Sequence, residues 1–306
     1  MTMRSGLKTG NAAFLTCVGS PSQVGRAGLL LDSIRAFGGR LRDRPFWVVE
    51  ADPEGAPCGA LADVGAAVVP LSVPSSIDGY LFARKVTACA RAEELAAGSV
   101  ETLIWLIPEC LILKPPALLE LSPAADVAVR PVHVRNVGLP TGEEPDAFWR
   151  GVFATVGEPS GSFTVESFIE GVRIRPYFNS AVFSVRPELG LMRTWLEAFE
   201  TLVTDEAFQE EACGDERHRV FLHQAVLSAL IATSLARARI RELPPDYGYP
   251  YNLHGSVPAG RRAAALGDTV CAIYEERSVD PRDVDDIEIP EPLRSWLVAR
   301  TAKGEA

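Results

Sequence analysis

The segment Ile104-Trp105-Leu106-Ile107-Pro108-Glu109-Cys110-Leu111-Ile112-Leu113 is apolar almost throughout and is broken once, at Pro108-Glu109. From Thr102 to Leu106 polar and apolar residues do not alternate. The segment therefore reads as a strand buried on both faces, as in a parallel sheet covered by helices. Proline has no amide hydrogen to give to a strand ladder, so the strand stops there and Leu111-Ile112-Leu113 forms a separate apolar piece before Lys114-Pro115-Pro116. Glu109 then falls at the carboxyl end of a central strand, where the ligands of open α/β sheets collect.

Working outward, the upstream chain supplies a βαβ series. Ala12 to Val18 is a first buried strand; Leu30, Ile34 and Phe37 recur at helical spacing after the turn at Gly19 and Pro21, and Gly38-Gly39 stops that helix. Pro45 to Val49 and Ala66 to Leu71 read as the second and third strands. An alanine-rich helix over Tyr80 to Ala97 carries Arg84 and Lys85 near its start and ends at Gly98. Downstream, Asp126 to Val129 is a further strand that delivers Arg130, His133, Arg135 and Asn136 to a loop. A Gly-, Pro- and Ser-rich stretch with one helical piece, Phe148 to Val156, leads to the alternating strand Tyr177 to Val185. Leu189, Met192, Leu196, Phe199 and Val203 mark an amphipathic helix, and Val220 to Leu235 a second. These elements predict an α/β fold with a Rossmann-like, mostly parallel central sheet flanked by helices. Residues 1–275 form one domain, and 276–306 are a C-terminal extension packed on it or partly mobile.

Composition narrows the function. The chain has 306 residues, 47% hydrophobic and 23% charged, which describes a globular protein and excludes a disordered or fibrous one. Its 30 Lys+Arg against 40 Asp+Glu give a net charge of −10, a poor balance for binding nucleic acid. An anionic small molecule needs only a local cluster of cations. The six cysteines are scattered without a CxxC pair, as in a cytoplasmic protein with reduced thiols, and no apolar stretch reaches membrane-spanning length. Gly19 to Gly25 fits neither dinucleotide nor P-loop spacing, and no GxSxG is present.

The order of these pieces resembles the GT-A superfamily of nucleotide-sugar glycosyltransferases over residues 12 to 275. Four stretches carry the resemblance. Ile104 to Leu113 matches the strand bearing that family's DXD motif, with Ile107 in the first acidic place and Glu109 in the second. Tyr177-Phe178-Asn179-Ser180-Ala181-Val182-Phe183 resembles the strand beneath donor and acceptor. His223-Gln224-Ala225-Val226-Leu227 resembles the DQ helix start, with His223 in the acidic place, and Leu243 to Asn252 resembles a C-terminal segment. The resemblance implies a transferase acting on a nucleotide-sugar. A divalent cation, Mn²⁺ or Mg²⁺, would bridge the diphosphate and offset leaving-group charge. With one DXD carboxylate replaced, the metal requirement is expected to be weakened or absent.

The candidate residues follow from position and chemistry. Glu109, His133, Asn179 and Gln224 are the catalytic candidates. Arg84 and Lys85 are placed to reach a nucleotide. Arg130, Arg135, Arg173, Arg175 and Tyr177 sit in two loops that, if they meet above the sheet, make a cationic pocket, since guanidinium groups bind phosphate bidentately. Glu109 and His223 are the candidate metal ligands. Asp215, Glu216 and His218 share helical faces with each other or with His223 and suit capping as well as a metal. A second function stays open: a non-catalytic or repurposed GT-A-fold protein binding an anionic small molecule or partner in the former donor cleft. An Ile107 that fills the cleft would favour it. An open cleft lined by Arg130, Arg135, Arg173 and Glu109 would favour the transferase.

Overall fold

The computed structural model describes residues 10–159 and 163–301. The first strand, β1 (Gly10–Val18), leads into α1 (Pro21–Phe37), whose proline at the first helical position has no amide to leave unsatisfied. The chain leaves α1 through Gly38 and Gly39; Gly39 has φ +56° and Pro115 packs so closely on it that a Cβ would lie 2.8 Å from the ring. Next come β2 (Phe46–Glu50), the short α2 (Gly59–Asp63) and β3 (Ala67–Pro70). α3 (Ala83–Ala96) starts three residues later than the alanine pattern predicts, because Phe82 adopts a left-handed conformation at its N-cap.

β4 (Val100–Leu106), β5 (Cys110–Ile112) and β6 (Val127–Pro131) follow, then α4 (Ala147–Val156), whose first turn is capped by the Asp146 carboxylate accepting from the Trp149 amide. A two-stranded ribbon of β7 (Val165–Glu166) and β8 (Arg173–Ile174) precedes β9 (Phe178–Val185). Three helices come next: α5 (Leu191–Thr204), α6 (Glu206–Ala212) and α7 (Glu216–Ser234). The chain closes with β10 (Ile240–Glu242), β11 (Tyr247–Pro250), β12 (Cys271–Ile273) and α8 (Leu293–Thr301).

The main sheet has the order β10-β6-β9-β4-β1-β2-β3. All its pairings are parallel except those of β9, which runs antiparallel to both β4 and β6. This reversal places the site. Because β9 runs backwards, its first residues lie at the carboxyl ends of the parallel strands, with Phe178 opposite Pro131 and Val182 opposite Leu106.

Both faces are covered, as the unbroken apolar run of β4 predicts. On one face Leu15, Trp47, Trp105 and Phe183 meet α3, α5 and α7 through Val86, Trp195, Phe199 and Leu227. On the other, Phe14, Val48 and Ile104 meet Leu30 and Ile34 of α1. Each large apolar side chain so buried stabilises the fold by about 1.5–3 kcal/mol. A third cluster lies beyond the sheet edge, where β11, β12 and β5 form a small mixed sheet. There Leu111, Tyr249 and Tyr251 pack with Val279, Ile287, Ile289, Leu293 and Leu297, so residues 276–301 contribute to a core.

Candidate active site

A cleft of about 440 Å³ opens at the carboxyl edge of the sheet, walled by residues of β4, β6, β9, α3 and α7 and the segments that follow them. Lys85 comes from the first turn of α3 and Phe82 from the left-handed N-cap position just before it. The backward start of β9 supplies Asn179 and Ser180, and α7 supplies His223 and Gln224. His133 and Asn136 come from the loop after β6, Ile107 from the end of β4, and Asn252 and Glu275 from the C-terminal part.

Lys85 is the only lysine or arginine among the described residues lining this cleft. Its Nζ donates to Ser180 Oγ at 2.7 Å and lies 3.5 Å from His223 Nε2. No carboxylate comes within ion-pair distance of it among the described residues. Desolvation by burial disfavours its charged form and lowers its pKa from 10.5 to about 7, against the smaller opposing pull of the Glu109 and Glu275 carboxylates. His223 is buried, with Nδ1 2.9 Å from the Val220 carbonyl and Nε2 3.0 Å from Ser180 Oγ. Burial, and then the charge of Lys85, hold its pKa well below the usual histidine value. The neutral tautomer that fits these neighbours carries its proton on Nδ1 and presents a lone pair at Nε2. Gln224 Oε1 accepts from both the amide and the hydroxyl of Ser180. Asn179 Oδ1 accepts from the Ala181 amide at 2.7 Å, which fixes its side chain. His133 is buried and, among the described residues, neither ring nitrogen has a partner; burial holds it neutral.

Several expected residues lie elsewhere. Glu109 is buried outside the cleft wall, where its carboxylate accepts from Arg26 Nη1 at 2.9 Å and Gln23 Nε2 at 3.4 Å. Arg26 also reaches Glu276, which helps hold the arginine charged. Glu109 and His223 do not fit the expected metal pair. The carboxylate is neutralised by Arg26, and the ammonium of Lys85 sits where a cation would approach the free nitrogen of His223. Among the described residues no three His, Cys, Asp or Glu side chains gather as a metal set. Asp215 caps α7 instead, accepting from the His218 amide at 2.9 Å and meeting its ring at 2.7 Å.

The two arginine segments do meet, with the Val132 amide donating to the Tyr177 carbonyl at 3.3 Å and the Arg175 amide to the Leu139 carbonyl at 2.8 Å, but their guanidinium groups do not gather into one pocket. Arg130 is buried with Nη1 donating to the carbonyls of Tyr247 and Gly248 and its guanidinium 4.6 Å over the Phe168 ring. It lines a separate cavity of about 550 Å³ with Phe168, Leu243 and Pro244. Burial lowers its pKa to about 10. Arg135 borders a smaller pocket near Trp149, Arg173 is exposed on β8, and Arg175 pairs with Glu158 at 2.6 Å. Tyr177 is buried edge-on against Trp149. Arg84 turns away from the cleft and donates to the Gly19 carbonyl at 3.0 Å.

Reasoning from sequence passed over Phe82, Ser180, Asn252 and Glu275. Ser180 lay inside a quoted motif beside Asn179, and a polar residue next to a candidate in a strand entering a sheet edge is the signal that could have found it. Glu275 follows β12, a strand too short to stand out, and Asn252 Nδ2 donates to its carboxylate at 2.6 Å.

The cleft thus gathers one ammonium, Lys85, and one carboxylate, Glu275, with side-chain amides, a hydroxyl and neutral imidazoles, groups that hydrogen-bond polar ligands. The sequence matches the Rhodobacterales glycosyltransferase domain over residues 15–234. No curated protein matches the chain in sequence. Among solved structures, galactosyltransferase LgtC in complex with donor and acceptor sugar analogs is similar with a TM-score of 0.53 and 10% identity, over 95% of each chain. GlyE of Streptococcus pneumoniae TIGR4 is similar with a TM-score of 0.50 and 12% identity, over 96% of this chain and 60% of its own. At such identities the likeness is one of fold, and the fold is the GT-A architecture. Among the described residues no helix is long and apolar enough to cross a membrane.

Proposed function

We propose, for a chain that belongs to the Rhodobacterales glycosyltransferase domain family, that the sugar it transfers arrives on a nucleoside diphosphate and that Lys85, in place of a divalent cation, faces the diphosphate. In such a transfer an acceptor hydroxyl oxygen bonds to the anomeric carbon and gives up its proton to solvent or the departing diphosphate, while the bond between that carbon and the phosphate oxygen breaks and its electron pair leaves with the diphosphate. A fixed cation aimed at that developing charge lowers the barrier, and does so more strongly in a site with little water. The observation that carries the reading is the pairing pattern. Glu109 is neutralised by Arg26, Ile107 presents an apolar side chain to the cleft, and Lys85 meets only a hydroxyl and an imidazole.

Ser180, His223 and Gln224 position the Lys85 ammonium. The side-chain amides of Asn179 and Gln224 and the unpartnered ring of His133 are left to bond hydroxyls of the transferred sugar or its acceptor. The cleft is open with Ile107 in its wall, which supports a transferase over a filled, repurposed site. Its cation, however, is Lys85 rather than the expected arginines. Calorimetry with UDP-, GDP-, ADP- and TDP-sugars, each with and without Mn²⁺, tests the proposal. At least one nucleotide-sugar should bind without added metal; no heat from any of them would overturn it.

A further inference from the structure

Phe82 combines two features that seldom occur together. It holds φ +65°, a left-handed conformation that costs a bulky L-residue about 1–2 kcal/mol. It is also 42% exposed, so core burial does not offset that strain. What the conformation achieves is a direction: the ring leaves the start of α3 and lies against the imidazole of His223, centroids 4.1 Å apart and planes within 20°. Lys85 Nζ stands 5.7 Å from its centroid, and the ring forms part of the cleft wall. Strain of this kind persists where the surroundings enforce it, and it concentrates at ligand sites.

The ring is backed by His223 and the residue stays 42% exposed. Arg84, two residues on, turns to Gly19 just after β1, whereas Phe82 turns toward His223 of α7, in the cleft that Asn179, Ser180 and His133 also line. Those groups suit hydroxyls. A pyranose presents hydroxyls around its rim and a patch of weakly positive C–H bonds on one face, which matches the negative face of an aromatic ring.

We infer that Phe82, backed by His223, is the platform on which the apolar face of a pyranose ring stacks, and that it selects the sugar this cleft accepts. The inference rests on the cleft being the transfer site, and it applies to the ring of either the donor or the acceptor.

Saturation-transfer NMR with methyl glucosides, galactosides and xylosides tests it without a nucleotide. Phe82→Asn removes the ring but tolerates the left-handed backbone, and Phe82→Tyr keeps the ring. Wild type and Phe82→Tyr should saturate the axial C–H protons of at least one pyranoside, and Phe82→Asn should reduce the signal about fivefold. Phe82→Asn should also hold its melting temperature, which separates loss of the platform from loss of the fold. Displacement of the pyranoside by a nucleotide-sugar assigns the platform to the donor ring; persistence assigns it to the acceptor ring. A full signal in Phe82→Asn, or none from any pyranoside in wild type, overturns the inference. A wild type that saturates a pyranoside but binds no nucleotide-sugar upholds the platform and overturns the donor reading.

Discussion

Lys85 and Arg130 are both cations held at the carboxyl edge of the same sheet, and their surroundings are opposite. Arg130 is 3% exposed and gives one terminal nitrogen to two backbone carbonyls while its plane covers Phe168. That nitrogen holds the segment after β10 against β6, while Nη2 has no partner among the described residues. Lys85 is only partly buried, faces an open cleft and has a hydroxyl and a neutral imidazole for company. The lesson is that the cation facing an open cleft with side-chain neighbours marks a candidate ligand site, whereas the one tied to backbone carbonyls of a distant segment serves the fold.

The comparison breaks most readily at Lys85. Lys85→Met should weaken nucleotide-sugar binding about 10- to 100-fold, the worth of a charge-assisted contact, and should leave the melting temperature level or raised because an uncompensated charge is gone. Retained affinity would erase the distinction between the two cations. Arg130→Met should do the reverse. The carbonyls of Tyr247 and Gly248 lose their donor, which costs about 2–4 kcal/mol in denaturant unfolding, while binding by the folded fraction changes less than about twofold.

pH sharpens the contrast at smaller amplitude. The pKa of Lys85 in the folded chain, about 7, lies below its ordinary 10.5, so between those values the unfolded chain holds the extra proton. Stability therefore gains a contribution as pH rises above 7. Over the same range the folded protein loses the charge, and diphosphate affinity should fall, by up to about tenfold per pH unit. Both trends should vanish in Lys85→Met. Opposite slopes of melting temperature and affinity are the signature; parallel slopes would point to another group.

Much of the fold was legible because apolar runs and glycine stops are local signals. Ala12 to Val18, Thr102 to Leu106 and the helix over Phe148 to Val156 lie within two residues of β1, β4 and α4 at either end. The direction of β9 was not legible, since alternation reports burial on one face and says nothing of the neighbours' polarity. That reversal is what brings Asn179 and Ser180 to the cleft. The candidate site was legible where the elements were: Lys85, Asn179, His223 and Gln224 sit on regular structure and converge. The arginines of the two loops did not, because the pairing of Arg175 with Glu158 and the turn of Arg130 toward Tyr247 depend on residues far away in the chain. Phe82 escaped because a left-handed phenylalanine has no sequence signature.

The claim that a fixed lysine stands where this fold commonly uses a divalent cation is tested most directly by one titration. The affinity of the wild-type protein for the nucleotide-sugar it prefers, measured in a chelator and again in saturating Mn²⁺, should agree within about twofold, because Lys85 already supplies the charge and Glu109 is neutralised by Arg26. An affinity that rises tenfold or more with Mn²⁺, about 1.4 kcal/mol, would contradict the account.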